Sequence, residues 1–401
     1  MNRPGERAVR QESLREHNLA LVAREVLTAT SAPSRADVAA RTGLNRATVS
    51  RLVAELVAGR LIVEDEPVAA GAGRPATPLR PAPGTVGGLG LEASIDYLGA
   101  RALDLAGNTI AEEILPGDYR SSDPHEVLQQ LGDLGRSVTA RAIEAGAAMT
   151  GATLALPGLV TGERLLVAPN LGWQDVDPAD HLGMLPGRHR GLDNEARLAA
   201  LAELSGSDSS SFLFISAGVG IGAAIVVDGE YTAGVHGFAG ELGHVCVDPA
   251  GPRCRCGASG CLETFAGTAA ICQTAGLGSL AQVHEAVVAG DDAALAAVEG
   301  AGRALGRALA GMVNLVDVTD VIVGNTLAEL LEPMRPAVRE ELDQRLLAAQ
   351  WAPVELRAAR VQHQPALTGA ARAALEPVVA DPSSFLADEV IPFDPVTDLQ
   401  D

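Results

Sequence analysis

The segment Gly-Glu-Leu-Gly-His at residues 240–244, followed by Cys-Arg-Cys-Gly-Ala-Ser-Gly-Cys-Leu-Glu at residues 254–263, contains one imidazole and three thiols. Four such ligands are what a closed tetrahedral zinc site requires. Gly257 and Gly260 permit the positive φ angles that would return the chain to the same ion. The alternative is three buried thiols beside a core histidine, because free cysteine commonly packs as a small apolar residue. We predict a structural zinc site formed by His244, Cys254, Cys256 and Cys261.

Two glutamates flank these ligands. Glu241 precedes His244 by three residues, and Glu263 follows Cys261 by two. A zinc ion whose four positions are all filled by protein has no place for an activated water, so it would shape the loop rather than perform chemistry. Metal binding would bring the two carboxylates together, and paired acceptors suit the adjacent hydroxyls of a sugar.

The combination G-x-x-G-E-x-G-H and C-x-C-G-x-x-G-C-L-E resembles the signature of the ROK family, which groups repressors, open reading frames and sugar kinases. The resemblance extends from about residue 86 to 376. It implies an α/β fold with a two-lobed actin-like, ribonuclease-H-like domain of the sugar-kinase type. The family's regulators also carry an N-terminal winged helix-turn-helix, which its plain kinases lack.

We therefore expect four parts in this chain of 401 residues, a length sufficient for two or three domains. Residues 1–85 would form the winged helix-turn-helix. Residues 86–193 would form the first lobe, completed by about residues 366–380. Residues 194–365 would form the second lobe, with the zinc site and the subunit contacts. Residues 381–401, which contain six acids and three prolines but no arginine, are expected to be a flexible tail.

The charge is divided along the chain. Residues 1–85 contain 12 Arg and 9 acids, whereas the remainder contains 18 Arg and 42 acids, for a net charge of −21 overall. An acidic body would repel DNA and confine contact to the N-terminal module. No stretch of about eighteen apolar residues is free of charge, so we expect no membrane span. Cysteines clustered as metal ligands suit a reducing cytoplasm.

Residues 35–54 follow a helix-turn-helix pattern, although an ordinary helical hairpin is the alternative. Gly43 suits the turn, and a recognition helix is expected from Arg46 to about Val57. Such helices meet base edges with their N-terminal half. A wing tip is expected at residues 71–75. The residues expected to contact DNA are Asn45, which also suits an N-cap, Arg46, Thr48, Ser50, Arg51 and, from the wing, Arg74.

Two departures from the kinases concern the chemistry. Kinases that resemble this chain carry D-x-G-x-T in the first hairpin, where residues 92–96 here read Glu-Ala-Ser-Ile-Asp. Ser94 replaces the glycine that lets phosphate approach the backbone, and Asp96 adds a negative charge. Like charges about 4 Å apart cost on the order of several kcal/mol in a partly buried site, so ATP should bind poorly.

The second departure lies in the catalytic loop, where the kinases have Asn-Asp and this chain has Asn194-Glu195. The extra methylene moves the carboxylate by about an ångström, which can cost on the order of a hundredfold in rate. We therefore predict no catalytic residue. His244 would hold zinc through one ring nitrogen and meet the sugar through the other. By resemblance, the sugar contacts are Asn170, Asn194, Glu195, Glu241, His244 and Glu263.

These residues favour a sugar-responsive transcriptional regulator, most simply a repressor, whose kinase-like domain binds a monosaccharide without phosphorylating it. It would bind a palindromic double-stranded DNA operator as a homodimer or homotetramer. The alternative is an active ATP-dependent sugar kinase with a fused DNA-binding domain. The two interpretations differ at Asp96 and Glu195.

Overall fold

The computed structural model describes residues 11–68, 76–182, 185, 189–205, 207, 209–218 and 220–387. The predicted wing tip, with Arg74, lies outside these residues.

The N-terminal module is a winged helix-turn-helix, as predicted. Ser34 caps the second helix with its side chain, and Gly43 ends it at φ 71°, a left-handed angle that favours glycine. The third helix buries one apolar face against the first two. A short antiparallel pair of strands follows. The elements are α1 Gln11–Leu27, α2 Arg35–Thr42, α3 Arg46–Ala58, β1 Ile62–Glu64 and β2 Leu79–Pro81.

The first lobe is built on a five-stranded sheet of order β10-β6-β3-β4-β5. Strands β3, β4 and β5 form an antiparallel meander, and β6 and β10 add to it in parallel. The elements are β3 Val86–Ala93, β4 Tyr97–Asp104, β5 Thr109–Pro116, α4 Pro124–Glu144, β6 Ala148–Leu156, β7 Leu159–Thr161, β8 Arg164–Ala168, β9 Trp173–Val176, α5 Ala179–Leu182, β10 His189–Asn194 and α6 Glu195–Leu204.

The second lobe repeats this design, with a sheet of order β13-β12-β11-β14-β15 in which three antiparallel strands are followed by two parallel ones. This duplication is the predicted actin-like architecture. The elements are β11 Phe212–Ala217, β12 Ile221–Val227, β13 Glu230–Tyr231, a 3-10 turn Leu242–His244, α7 Glu263–Ala266, α8 Thr268–Ala275, α9 Leu280–Val288, α10 Asp292–Val316, β14 Asp320–Asn325, α11 Thr326–Glu329, α12 Leu331–Arg345 and β15 Glu355–Ala358.

Helix α13 (Pro365–Ala373) packs closely on both α6 and β3. A Cβ at Gly369 would lie 1.7 Å from the carbonyl oxygen of Leu198, and one at Gly90 would lie 2.4 Å from that of Leu367. Such distances require glycine. The helix that begins at Glu195 is therefore in backbone contact with α13.

The chain after α13 returns to the DNA-binding module. Helices α14 (Glu376–Ala380) and α15 (Pro382–Ala387) pack on α1. Leu375 and Val378 are buried in the same apolar cluster as the core of the helix-turn-helix. The expectation of a flexible tail from residue 381 therefore differs from the structure at 382–387, because this segment offers apolar side chains to a partner distant in sequence. Residues 388–401 lie outside the described residues.

Among the described residues, we find no helix that combines the length and apolar character needed to cross a membrane.

Candidate functional site

The four predicted metal ligands come together. One ligand atom from each of His244, Cys254, Cys256 and Cys261 lies within 4.8 Å of all the others. The Nδ1 atom of His244 is 3.7 Å from the Sγ atom of Cys254, and the Sγ atoms of Cys256 and Cys261 are also 3.7 Å apart. One imidazole and three thiols fit a metal that prefers nitrogen and sulfur ligands. These residues can therefore hold a metal ion.

Tight turns create this arrangement. Gly257 has φ 94° and donates its N–H to the carbonyl of Cys254, while Cys254 donates its own N–H to Ala258. Gly260 has φ 72°, and a Cβ there would lie 1.7 Å from the carbonyl oxygen of Asp248. The two glycines named in the sequence thus permit the return of the chain.

All six predicted sugar contacts line one cavity beside the cluster, the metal-side cavity. Glu263 accepts the N–H of Ile221 through Oε2 at 3.2 Å. The Nε2 atom of His244 faces Glu241 at 4.0 Å, so one ring nitrogen points to the thiols and the other to the cavity. Which of these groups contact a ligand stays a prediction.

The two asparagines are held by their neighbours. Asn194 is the N-cap of α6: its Oδ1 accepts the N–H of Ala196, and its Nδ2 donates to the carbonyl of Gly158, both at 2.8 Å. The Oδ1 atom of Asn170 accepts from Nη1 of Arg255, which lies between two thiol ligands, at 3.3 Å. Hydrogen bonds, two of which join segments distant in the sequence, therefore hold both asparagines in the cavity wall.

Two carboxyls of the cavity, Glu195 and Glu241, have raised pKa values. Burial, together with the charges of Asp96 and Glu241, raises the pKa of Glu195 to about 7. Burial also raises the pKa of Glu241, which His244 and Arg197 partly offset. Glu195 therefore changes charge near neutral pH, and its ionised form is the better hydrogen-bond acceptor.

A second, larger cavity of about 560 Å³ adjoins the first, and we call it the interlobe cleft. Glu92, Ser94 and Asp96 line it, and Ser94 Oγ donates to Asp96 Oδ1 at 2.9 Å. Burial raises the pKa of Glu92 to about 8. The hairpin that would hold nucleotide phosphates in a kinase thus presents acids to the cleft.

Sequence reasoning missed a network that fastens this site. Arg197 is nearly buried, and it donates through Nε to Asp193 Oδ1 and through Nη1 to the carbonyl of Gly237, both at 2.6 Å. Tyr231 donates its hydroxyl to Asp193 Oδ2 at 2.9 Å. The network links the start of α6 to the loop that leads to Glu241. The spacing of four residues between Asp193, near the end of β10, and Arg197, in the first turn of α6, was a signal for this ion pair.

The recognition helix presents two uncommitted arginines. Asn45 caps α3 by accepting the N–H of Thr48 at 2.8 Å. Arg46, Ser50 and Arg51 are exposed. In the part of the chain that the structure describes, Arg46 and Arg51 have no carboxylate partner. The same holds for Arg24 and Arg60 outside this helix, whereas the remaining described arginines of the module form ion pairs: Arg15, Arg35, Arg41 and Arg80.

The geometry defines a protein that joins a helix-turn-helix to a two-lobed domain of the sugar-kinase type. The ROK family matches residues 89–376, and an IclR helix-turn-helix domain matches residues 25–66. The chain belongs to the ROK family.

Similar proteins include a xylose repressor from Caldicellulosiruptor bescii, 26% identical over 375 residues that cover 88% of this chain and 93% of that protein. Among solved structures, a ROK family transcriptional regulator, homologous to the MLC protein of E. coli, superposes with a TM-score of 0.75 at 26% identity and covers 92% of this chain and 97% of that one. A ROK hexokinase from Thermus thermophilus superposes with a TM-score of 0.62 at 28% identity, and the superposition covers 73% of this chain and 99% of the hexokinase chain. This chain is therefore longer than the kinase, as its extra N-terminal module requires.

Proposed function

We propose that this protein is a sugar-responsive transcriptional repressor that binds a sugar and does not phosphorylate it. One observation carries the proposal: a helix-turn-helix is joined to a kinase-type domain that keeps the carboxylates of the metal-side cavity but has Ser94 and Asp96 in the interlobe cleft, where the kinases carry glycine and threonine. The similarity to a xylose repressor and to a ROK transcriptional regulator over most of the chain supports it.

The charges argue against the kinase alternative. A nucleotide phosphate would meet Asp96, which lines the cleft where the kinases carry a threonine. At about 4 Å such a pair of like charges costs about 1 kcal/mol in water and about 4 kcal/mol near a protein surface. Glu195, one methylene longer than the aspartate of the kinases, still accepts a hydrogen bond from a sugar. Recognition survives these changes better than phosphoryl transfer.

The sugar signal has a physical route to the DNA-binding module. Glu195 is the first residue of α6, and α6 is in backbone contact with α13 at Gly369. Helix α13 leads directly to Leu375 and Val378, which are packed into the core of the helix-turn-helix. A sugar that prefers one lobe arrangement would therefore shift the DNA-binding module with it, by as much as its preference allows.

We propose further that subunits meet at the end of α10 and α12. Leu315, Leu347 and Trp351 are at least three-quarters exposed there, and Asn314 accepts the N–H of Leu347 through Oδ1 at 3.2 Å, which holds the two segments together. Exposed apolar patches of this kind are typical of protein contacts. A dimer would place two recognition helices on half-sites about 34 Å apart, as in a palindromic operator. Trp351→Asp should yield monomers in sedimentation velocity.

The metal is proposed to be zinc, because four nitrogen and sulfur ligands suit tetrahedral Zn²⁺. Burial raises the pKa of the Cys261 thiol, so metal binding would have to displace its proton. Reduced thiols of this kind suit a cytoplasmic location.

The test joins two measurements on the full chain. An operator is first selected from random duplexes, and its affinity is measured by fluorescence anisotropy with and without each sugar of a panel. We expect one sugar to change the affinity by about 5- to 150-fold, the usual range of coupling energies. The same sugar should support no ATP turnover in a coupled assay.

Glu263→Gln should weaken the sugar response, because it removes a charged acceptor from the metal-side cavity. Glu299→Gln, at an exposed ion pair on α10, is the matched control and should leave the response as it is. Turnover of ATP with the bound sugar would move the protein to the kinase class. Equal operator affinity with every sugar would remove the proposed regulation.

A further inference from the structure

The two cavities adjoin each other but differ in size. Asn170 and Glu195 line both of them. The metal-side cavity measures about 80 Å³ and the interlobe cleft about 560 Å³. Sites for small ligands usually measure about 300–1,000 Å³. A ligand that binds the carboxylates of the metal-side cavity and exceeds its volume would therefore extend into the interlobe cleft.

The cleft favours neutral or positive ligands over phosphates. Its ionisable lining is mostly acidic: Glu92, Asp96, Glu195 and Glu329 face Arg120 and His363. Because burial raises the pKa of Glu92 to about 8 and that of Glu195 to about 7, these two carboxyls carry only part of a negative charge at neutral pH, and Asp96 and Glu329 supply the rest. Arg120 already donates to Asp118 at 3.0 Å. An anionic ligand would find little compensation here.

One buried group points to a ligand that forms hydrogen bonds. Glu92 is only 4% exposed, and among the described residues its Oε2 atom has no hydrogen-bond partner. A buried polar oxygen without a partner costs about 1–3 kcal/mol. A hydroxyl from a ligand in the cleft can both donate and accept, so it would satisfy this oxygen whether or not Glu92 is protonated.

The neutral groups of the cleft include both acceptors and donors. Thr326 and Thr268 donate their hydroxyls to the carbonyls of Ala217 and Gly218, at 2.7 and 2.6 Å. Their donors are thus engaged, whereas each hydroxyl oxygen keeps lone pairs that can accept. The side-chain amides of Gln362 and Gln364 also line the cleft and can donate. A mixed lining of this kind suits the hydroxyls of a sugar, which both donate and accept.

A bare metal ion is a poorer fit. In the described part of the chain, one group of His, Cys, Asp or Glu side chains has ligand atoms close enough together to hold an ion. That group consists of His244, Cys254, Cys256 and Cys261. The carboxylates of the cleft are too dispersed to share one cation. Dispersed acceptors suit the several hydroxyls of a sugar ring.

Backbone strain lies at the same place. Asn325 and Gln364 line the cleft with positive φ angles of 54° and 42°, which are uncommon for residues other than glycine. Strain of this kind is retained mostly at binding sites.

We propose that the effector is a disaccharide, with one ring at the metal-side cavity and a second, neutral glycosyl unit in the interlobe cleft. Asn170 and Glu195 line both cavities, so the glycosidic linkage between the two units would lie beside them. This proposal rests on the proposed function, because it takes the metal-side cavity to bind a sugar ring.

The test compares disaccharides with their own monosaccharides by isothermal titration calorimetry on the zinc-loaded full chain. The probes are xylose with xylobiose, and glucose with cellobiose and maltose. We expect at least one disaccharide to bind tenfold or more tightly than its monosaccharide. ATP should not bind.

Two matched substitutions locate the second unit. Ala328→Trp fills the cleft from α11 and should abolish the advantage of the disaccharide, with less than a twofold change for the monosaccharide. Ala281→Trp, at an exposed position of α9 that lines neither cavity, should change neither value.

The outcomes separate the two proposals. Equal affinity for monosaccharide and disaccharide, or an advantage that survives Ala328→Trp, would overturn the disaccharide site and leave the sugar-responsive repressor standing. Binding of ATP would make the cleft a nucleotide site and overturn it as well. If no sugar of either length binds, both proposals fail.

Discussion

The contact between the C-terminal segment and the DNA-binding module can be tested by shortening one buried side chain. Leu375 is 5% exposed and belongs to the apolar cluster of the helix-turn-helix. The substitution Leu375→Ala removes three carbons, which cost about 0.8 kcal/mol each by transfer alone. The cavity left behind raises the loss to about 3–5 kcal/mol.

The assay is hydrogen exchange of the full chain followed by mass spectrometry. A loss of about 3 kcal/mol should speed exchange through local unfolding by about a hundredfold in α1 and α3. Because Leu375 also lies below Gly88 of β3, some loss is expected in the first lobe. Val288→Ala, at a valine of α9 that is 75% exposed, is the control and should change little.

The reasoning would be refuted by unchanged exchange in α1 and α3 of the Leu375→Ala protein. The same result would remove the physical route that we propose for the sugar signal, since that route passes through this residue.

Three further predictions concern the metal, the DNA contacts and pH. The protein purified without chelator should contain about one zinc per chain by elemental analysis. Less than about half an equivalent of zinc would contradict the proposed zinc site. The Cys256→Ser substitution should lower both the zinc content and the sugar affinity. The Arg51→Ala substitution should cost about 1–3 kcal/mol of operator affinity if Arg51 contacts a base. If Arg51 contacts a phosphate, the substitution should mainly lower the dependence of operator affinity on salt concentration. Unchanged affinity in both Arg46→Ala and Arg51→Ala would show that α3 is not the helix that contacts DNA. Sugar affinity should rise by about tenfold from pH 6 to pH 8, because the pKa of Glu195 is about 7 and only its ionised form accepts hydrogen bonds fully. The Glu195→Gln variant should show little dependence of sugar affinity on pH. An equally steep pH dependence in that variant would exclude Glu195 as the titrating group.

The features that could be predicted from the sequence are those whose partners lie close together in the chain. Gly257 and Gly260 sit between the thiols that they bring together, and Gly43 sits between the helices that it joins. Local spacing thus carries their geometry. The resemblance to a known family supplied the lobes and the sugar-facing residues, which spacing alone would not have assembled.

What could not be predicted depends on contacts between distant segments. Leu386 lies against Gly59, where a Cβ would come within 1.9 Å of it, yet the two are more than three hundred residues apart. The segment around Leu386 is acidic and rich in proline, so its composition favours disorder. Similarly, the bond from Arg197 to the carbonyl of Gly237 joins segments that no periodic pattern connects.

The two ends of the described chain complete one core, and this sets an order of events on the ribosome. Translation proceeds at about 5–20 residues per second, so about 15–60 s separate the emergence of Val86 from that of Leu375. Until then the first helices lack the apolar surface of α14 and α15. A nascent or prematurely terminated chain therefore presents its recognition helix on a helix-turn-helix whose apolar core is incomplete. The core is complete only after translation has passed residue 386.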